Sequence, residues 1–197
     1  MYRFYYNRKT AGDVLYCVLD SSSYPDSTKK VGDVVALYHG KERVGINFLN
    51  ISKTIKIKAE GMIPYAGSEF LAPINHMLEN AGEETLPKQN STFYAIGEVT
   101  GLEEHPLDEK KTIVHLCLGD KTLDTVTRYA NLAKGCKTVV ALDGCLRIDG
   151  TPFLAHSEKN IPVECEICSQ KDLGLGEESK EAFLVEEGEP GEDFFLR

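Results

Sequence analysis

The sequence predicts a mostly β protein of two domains: a small α+β domain over residues 1–90 and a β-barrel or sandwich over residues 91–197. Three observations carry this. Short apolar stretches, some with the period of two of half-buried strands, recur along the chain between glycine-containing turn signals. One stretch in the first half, and only one, has helical spacing. A polar, proline-containing run at residues 83–92 has neither period and reads as a linker, placing a boundary near residue 90.

In the first half, Tyr2–Tyr6, Val14–Leu19, Asp33–Tyr38 and Val44–Phe48 read as strands. Gly12-Asp13 and Gly32-Asp33 mark tight turns that feed two of them, and residues 39–43 close a hairpin. Ile55-Lys56-Ile57-Lys58 alternates as a half-buried strand should. Phe70, Leu71, Ile74, Met77 and Leu78 share one helical face, with Ser68 as a cap and Asn80-Ala81-Gly82 as a stop. Pro73 is tolerated only near the first turn, which predicts a helix beginning after Ser68.

In the second half, Phe93–Val99 is followed by a charged loop over Gly101–Lys111. Thr112–Leu118 and Lys121–Thr127 flank Gly119-Asp120, a hairpin signal. Lys137–Leu142 and Cys145–Ile148 flank Asp143-Gly144, a second one. About five short strands with turns every 8–12 residues suit a small barrel or sandwich.

With 42% hydrophobic and 27% charged residues, the chain reads as globular, and no apolar run is long enough for a membrane helix. The start, Tyr2-Arg3-Phe4-Tyr5-Tyr6-Asn7, lacks the pattern of a secretory signal, and six cysteines are too sparse for a disulfide scaffold; a reduced, cytoplasmic compartment is predicted. The net charge of −9 is unevenly spread: residues 91–197 hold 11 Lys+Arg against 21 Asp+Glu, a net of −10. That acid gathers over residues 177–193, as a solvated tail does.

No residue set anchors catalysis. His105-Pro106 reads as a turn, and His39, His76, His115 and His156 show no spacing. Gly174-Leu175-Gly176 lacks the lysine of a phosphate loop. Cys165-x-x-Cys168 could complete a zinc site with Cys136 and Cys145, but the eight residues between the latter two are too wide for a knuckle. Neither a metal nor a cofactor is predicted.

His105-Pro106, Lys110, Gly119, Val126, Asn131 and the run Cys168-Ser169-Gln170-Lys171-Asp172-Leu173-Gly174-Leu175 resemble the tRNA-binding domain family. This is the OB-fold module appended to methionyl- and phenylalanyl-tRNA synthetases and also found free-standing. Phe4-Tyr5-Tyr6-Asn7 with Gly12-Asp13, and Gly32-Asp33-Val34-Val35, resemble the N-terminal domain of bacterial YtpR proteins. The resemblance implies an OB-fold β-barrel over residues 91–197 that binds tRNA or structured RNA without turnover, touching neither DNA nor membrane. It also implies a homodimer, with Phe183–Val185 and Phe194–Leu196 as dimer or barrel-closing strands. The chain departs from the family where Val163 and Glu166 replace a serine and a methionine of the motif that ends at Cys168-Ser169. A glutamate facing phosphate costs affinity.

Candidate RNA contacts are Lys110 and Lys111 in the loop, Arg128, Tyr129 and Asn131 after the first hairpin, and Ser169 and Lys171 in the last motif. OB-folds stack bases on exposed rings along a basic groove. A cation beside a ring at 128–129 suits phosphate contact plus stacking. The alternative for that pair is a solvated arginine and a half-buried tyrosine. A rival for the whole domain is a protein–protein interaction module that kept the barrel and lost RNA; an RNA binder must gather Lys110, Lys111, Arg128, Lys134, Lys137 and Lys171 on one face.

Overall fold

The structure, a computed structural model, describes residues 2–63 and 65–196. Met1, Pro64 and Arg197 lie outside the described residues. The chain is mostly β and forms two compact units, residues 1–90 and 91–197.

The first unit contains β1 (Arg3–Tyr6), α1 (Arg8–Ala11), β2 (Val14–Val18), β3 (Ser27–Val31), β4 (Val34–His39), β5 (Glu42–Leu49), β6 (Gly61–Ile63) and α2 (Ser68–Asn80). Its six strands pair antiparallel in the order β3-β4-β5-β2-β1-β6. Register explains the core. Phe4 pairs with Cys17, Cys17 with Ile46 and Ile46 with Ala36, while Tyr6, Leu15, Phe48 and Val34 form the next row. All eight are buried, so one sheet face is apolar throughout. Helix α2 covers that face with Leu71, Ile74 and Leu78.

Three details differ from the sequence expectations. The helix starts at Ser68 with Gly67 as its cap, so Pro73 lies inside it. Burial of Leu71 and Ile74 on either side of Pro73 outweighs the backbone hydrogen bond that proline cannot donate. Residues 55–58 are not a strand: Ile55 and Ile57 pack on the core, but this stretch belongs to no ladder. Residues 83–89 are no free linker either. Asn75 exchanges hydrogen bonds with the Leu86 backbone, Gln89 donates to the Tyr2 carbonyl at 2.7 Å, and Tyr2 donates to the Pro87 carbonyl at 2.6 Å. Asn90 and Ser91 are exposed. Limited proteolysis with a non-specific protease is therefore expected to cut at residues 90–91. Primary cleavage within residues 83–89 would contradict this docking.

The second unit contains β7 (Tyr94–Glu104), β8 (Thr112–Cys117), β9 (Thr122–Thr127), β10 (Lys137–Leu142), β11 (His156–Glu158), β12 (Ile161–Val163), β13 (Cys165–Ile167) and β14 (Leu184–Val185). The main sheet runs β13-β10-β7-β8-β9 as an open path, β14 adds to β10, and β11 pairs with β12. Its core is Val99, Val114, Leu116, Val140, Cys165 and Ile167 with their neighbours.

The Gly119-Asp120 hairpin is present as β8–β9. The Asp143-Gly144 hairpin is not. Gly144 takes a positive φ of 78° and the chain turns, but residues 145–148 do not return along β10. They instead build a loop closed by Arg147 N donating to Thr151 O and Gly144 N to Phe153 O, and β10 takes β13 and β14 as partners on that side. The terminal apolar segments pack within this unit: Phe183 N donates to Cys168 O, Phe194 N to Tyr94 O, and Phe195 meets the Tyr94 ring edge-on at 5.3 Å.

Candidate nucleic-acid interface

The His-Pro turn orders the loop that carries Lys110. His105 is buried, its Nδ1 accepts from Leu107 N, and the loop is closed by His105 N donating to Lys111 O and Lys111 N to Asp108 O. Lys110 is exposed, and its own backbone N–H donates to the Asp108 carboxylate at 3.1 Å. That bond, with Arg128 and Lys111 nearby, holds the Asp108 carboxyl below its ordinary range. Arg128 approaches Asp108 at 3.7 Å while its side chain remains 69% exposed, so its guanidinium stays available to a ligand.

The next residue extends the run. Tyr129 is half-buried and donates to Asp172 at 3.3 Å; burial, then the Asp172 charge, push its hydroxyl up to about 12. Asp172 also accepts from Ser169 N and Oγ, at 2.8 and 2.7 Å. This turn presents Lys171 to solvent. Beyond it lies a cavity of about 200 Å³ lined by Tyr94, Arg147, Glu166, Lys171 and Asp172 among others.

Three segments distant in sequence therefore meet: the 105–111 loop, residues 128–129 and residues 166–172. Lys110, Arg128, Tyr129 and Lys171 lie along this run with accessible side chains. The other three candidates are engaged by their own fold. Lys111 pairs with Glu158, Ser169 is fully buried on Asp172, and the Asn131 amide both donates to and accepts from the Ala182 backbone at 2.9 Å. Lys137 donates to Gly188 O at 2.8 Å, and Lys134 is exposed in the turn before β10.

Arg147 escaped the sequence analysis. Its Nε donates to Glu166 at 2.6 Å, so the glutamate that replaces the family methionine is charge-paired rather than bare. An acid at an apolar position calls for a cation, but nothing in spacing locates a partner nineteen residues away across an irregular loop.

All six cysteines are free thiols. Burial pushes Cys165 up to about 12 and Cys168 well above its ordinary value, so both are held protonated. Among the described residues, no group of three or more His, Cys, Asp or Glu is placed to hold a metal ion, and no helix is long and apolar enough to cross a membrane.

No family model matches the chain. It is, however, 33% identical over 191 residues to the "Putative tRNA-binding protein YtpR" of Bacillus subtilis (strain 168), covering 94% of each chain. The chain belongs to the YtpR family. It also matches the phenylalanine–tRNA ligase beta subunit of Oceanobacillus iheyensis, at 29% identity over 100 residues; these make up 51% of this chain but only 12% of that subunit. The corresponding subunit of Nitratidesulfovibrio vulgaris is 32% identical over 84 residues, 42% of this chain and 10% of that one. A solved structure, a MetRS related protein from Pyrococcus horikoshii, aligns at TM-score 0.35 and 14% identity over 50% of this chain and 84% of that chain, a likeness too low to assign a fold.

Proposed function

We propose that this YtpR-family protein binds tRNA without chemical turnover, through residues 91–197 folded as an OB-type barrel. The observation that carries this is the relationship over 94% of both chains to a protein named as tRNA-binding. The barrel is supported by bonds between the ends of the open strand path. Glu164 N donates to Asp124 O, Asp124 N to the Glu164 carboxylate, and Thr125 Oγ1 to Cys165 O, which brings β9 against β13.

In this reading, Lys110, Arg128 and Lys171 neutralise backbone phosphates and Tyr129 offers a ring face to an unpaired base. Asn131, Lys111 and Ser169 support the interface by fixing the segments that carry those residues. The protein acts in the cytoplasm. The reading includes a homodimer, with Phe183–Val185 and Phe194–Leu196 as dimer or barrel-closing strands; Phe183 and Phe194 pack within their own unit while Leu184 is exposed.

Charge favours a second reading. A net of −10 on residues 91–197 suits a protein–protein interaction module that kept the fold and lost RNA. Binding measurements separate the two. Lys110→Glu is expected to weaken every tRNA alike, because a backbone contact carries no sequence information. Tyr129→Ala is expected to cost about 1–3 kcal/mol of binding with little change in salt dependence, and Tyr129→Phe to keep the affinity because it keeps the ring. Titration of total tRNA by fluorescence anisotropy reads both. Variants that bind tRNA no differently from the wild type would place the contact on other residues, and absence of binding by the wild type at low salt would favour the interaction module.

A further inference from the structure

We propose that Arg147 is a phosphate-binding residue of this interface and that Glu166 holds it in reserve. The proposal rests on the tRNA reading above and adds a site to it: the cavity of about 200 Å³ that Arg147 and Lys171 share.

The loop orients the arginine without help from Glu166. Nη1 donates to Pro152 O at 3.1 Å, and the guanidinium carbon lies 5.6 Å from the centroid of the buried Phe153 ring. This stacking and hydrogen bonding leave the guanidinium facing the cavity, where Nε meets Glu166. The two side chains are 36% and 39% exposed, so solvent and ligand reach both. An ion pair that exposed contributes little and exchanges readily. A backbone phosphate presents two anionic oxygens to the same planar fork, in the bidentate geometry that the single Nε contact to Glu166 leaves unused.

The surrounding charges are accounted for. Asp149 accepts from Thr151 N and Oγ1, and Asp172 accepts from Ser169 and Tyr129. Among the described residues, Glu166 has Arg147 as its side-chain partner, and Lys171 forms no ion pair. Glu166 is thus the carboxylate lining the cavity whose removal frees a cation. While it stays, an entering phosphate must displace it from Arg147 and then remain beside it, so the site binds below its capacity.

The experiment is a titration of total tRNA against the full chain over a range of salt. Glu166→Gln keeps the shape and removes the charge. It is expected to tighten binding roughly three- to tenfold at low salt and to steepen the log affinity–log salt slope by about 0.7–0.9, the signature of one more neutralised phosphate. Glu164→Gln removes the same charge two residues away, where no cation is released, and is expected to leave the slope unchanged. Arg147→Gln in the Glu166→Gln background is expected to abolish the gain, with circular dichroism and the melting temperature confirming the fold. A gain that survives loss of Arg147, or that Glu164→Gln reproduces, would overturn the proposal. If the double variant does not fold, the Glu164 and Glu166 comparison still decides it. Binding by every variant with no change of slope in Glu166→Gln sinks this proposal alone. No binding by any variant at low salt sinks it together with the tRNA reading.

Discussion

Replacing Glu83 with alanine is expected to destabilise the first unit by about 3 kcal/mol, near the lower end for breaking a buried ion pair. The Glu83 side chain is 6% exposed and accepts from Lys29 at 2.7 Å, Tyr38 at 2.7 Å and Arg43 at 3.4 Å. Burial alone would raise its carboxyl, but the Lys29 and Tyr38 bonds and the two cations outweigh burial and hold it below its ordinary value. Alanine leaves Arg43, only 13% exposed, without its carboxylate, and unpins the 83–89 segment from β3, β4 and β5. Lys29 is half-exposed and regains water, which keeps the loss below the largest values seen for such pairs. Because the folded carboxyl is depressed, its contribution is present above the unfolded pKa and fades as pH falls through the folded one. Urea unfolding at neutral and acid pH measures both effects. Equal losses at the two pH values, or a loss under about 0.5 kcal/mol, the range of an ordinary surface substitution, would contradict this account.

Gly191→Ala is expected to cost about 2–4 kcal/mol in the second unit, because it combines backbone strain with a clash. Gly191 has φ +90°, and an added Cβ would fall on the Leu118 carbonyl oxygen. Across the same junction, a Cβ on Gly119 would meet Pro190 O at 2.8 Å. The two glycines let the segment after β14 lie directly on the β8–β9 turn. Gly191 N then donates to Ile96 O, Ile96 N to Glu192 O, and Asp193 accepts from Thr92 N and Oγ1 at 2.6 and 2.7 Å. Loss of this docking should appear as a lower melting temperature and faster exchange of the Thr92 and Ile96 amides. Wild-type exchange at both amides would show that the glycine is dispensable.

Sequence patterns were most informative where local chemistry and tertiary demand coincide. Gly32-Asp33 and Gly119-Asp120 mark turns that do join paired strands, and the Phe70–Leu78 stripe does cover the first sheet. At Asp143-Gly144 the turn is real, but the path of the chain beyond it is decided at a distance, by β13 and β14 taking the edge of β10. β3 was invisible because all five of its residues are exposed, leaving no apolar pattern to read. Glu83 and Gln89 made residues 83–92 resemble a linker, since polarity in sequence does not reveal that a buried partner awaits it. The same limit governs the interface. Of the candidates named from the family motifs and from a cation beside a ring, Lys110, Arg128 and Lys171 are exposed and Tyr129 is half-buried. Engagement of Lys111, Asn131 and Ser169 by Glu158, Ala182 and Asp172, and the pairing of Arg147 with Glu166, exist only once the chain is folded.

Titration of the full-length protein with total tRNA at two salt concentrations tests the central claim most directly. Few cations face solvent along the run from Lys110 to Lys171, so binding is expected to be weak at physiological salt and clear at low salt. The slope should correspond to about two to four neutralised phosphates. Absence of binding at low salt would contradict tRNA binding by this protein and leave the interaction module in its place.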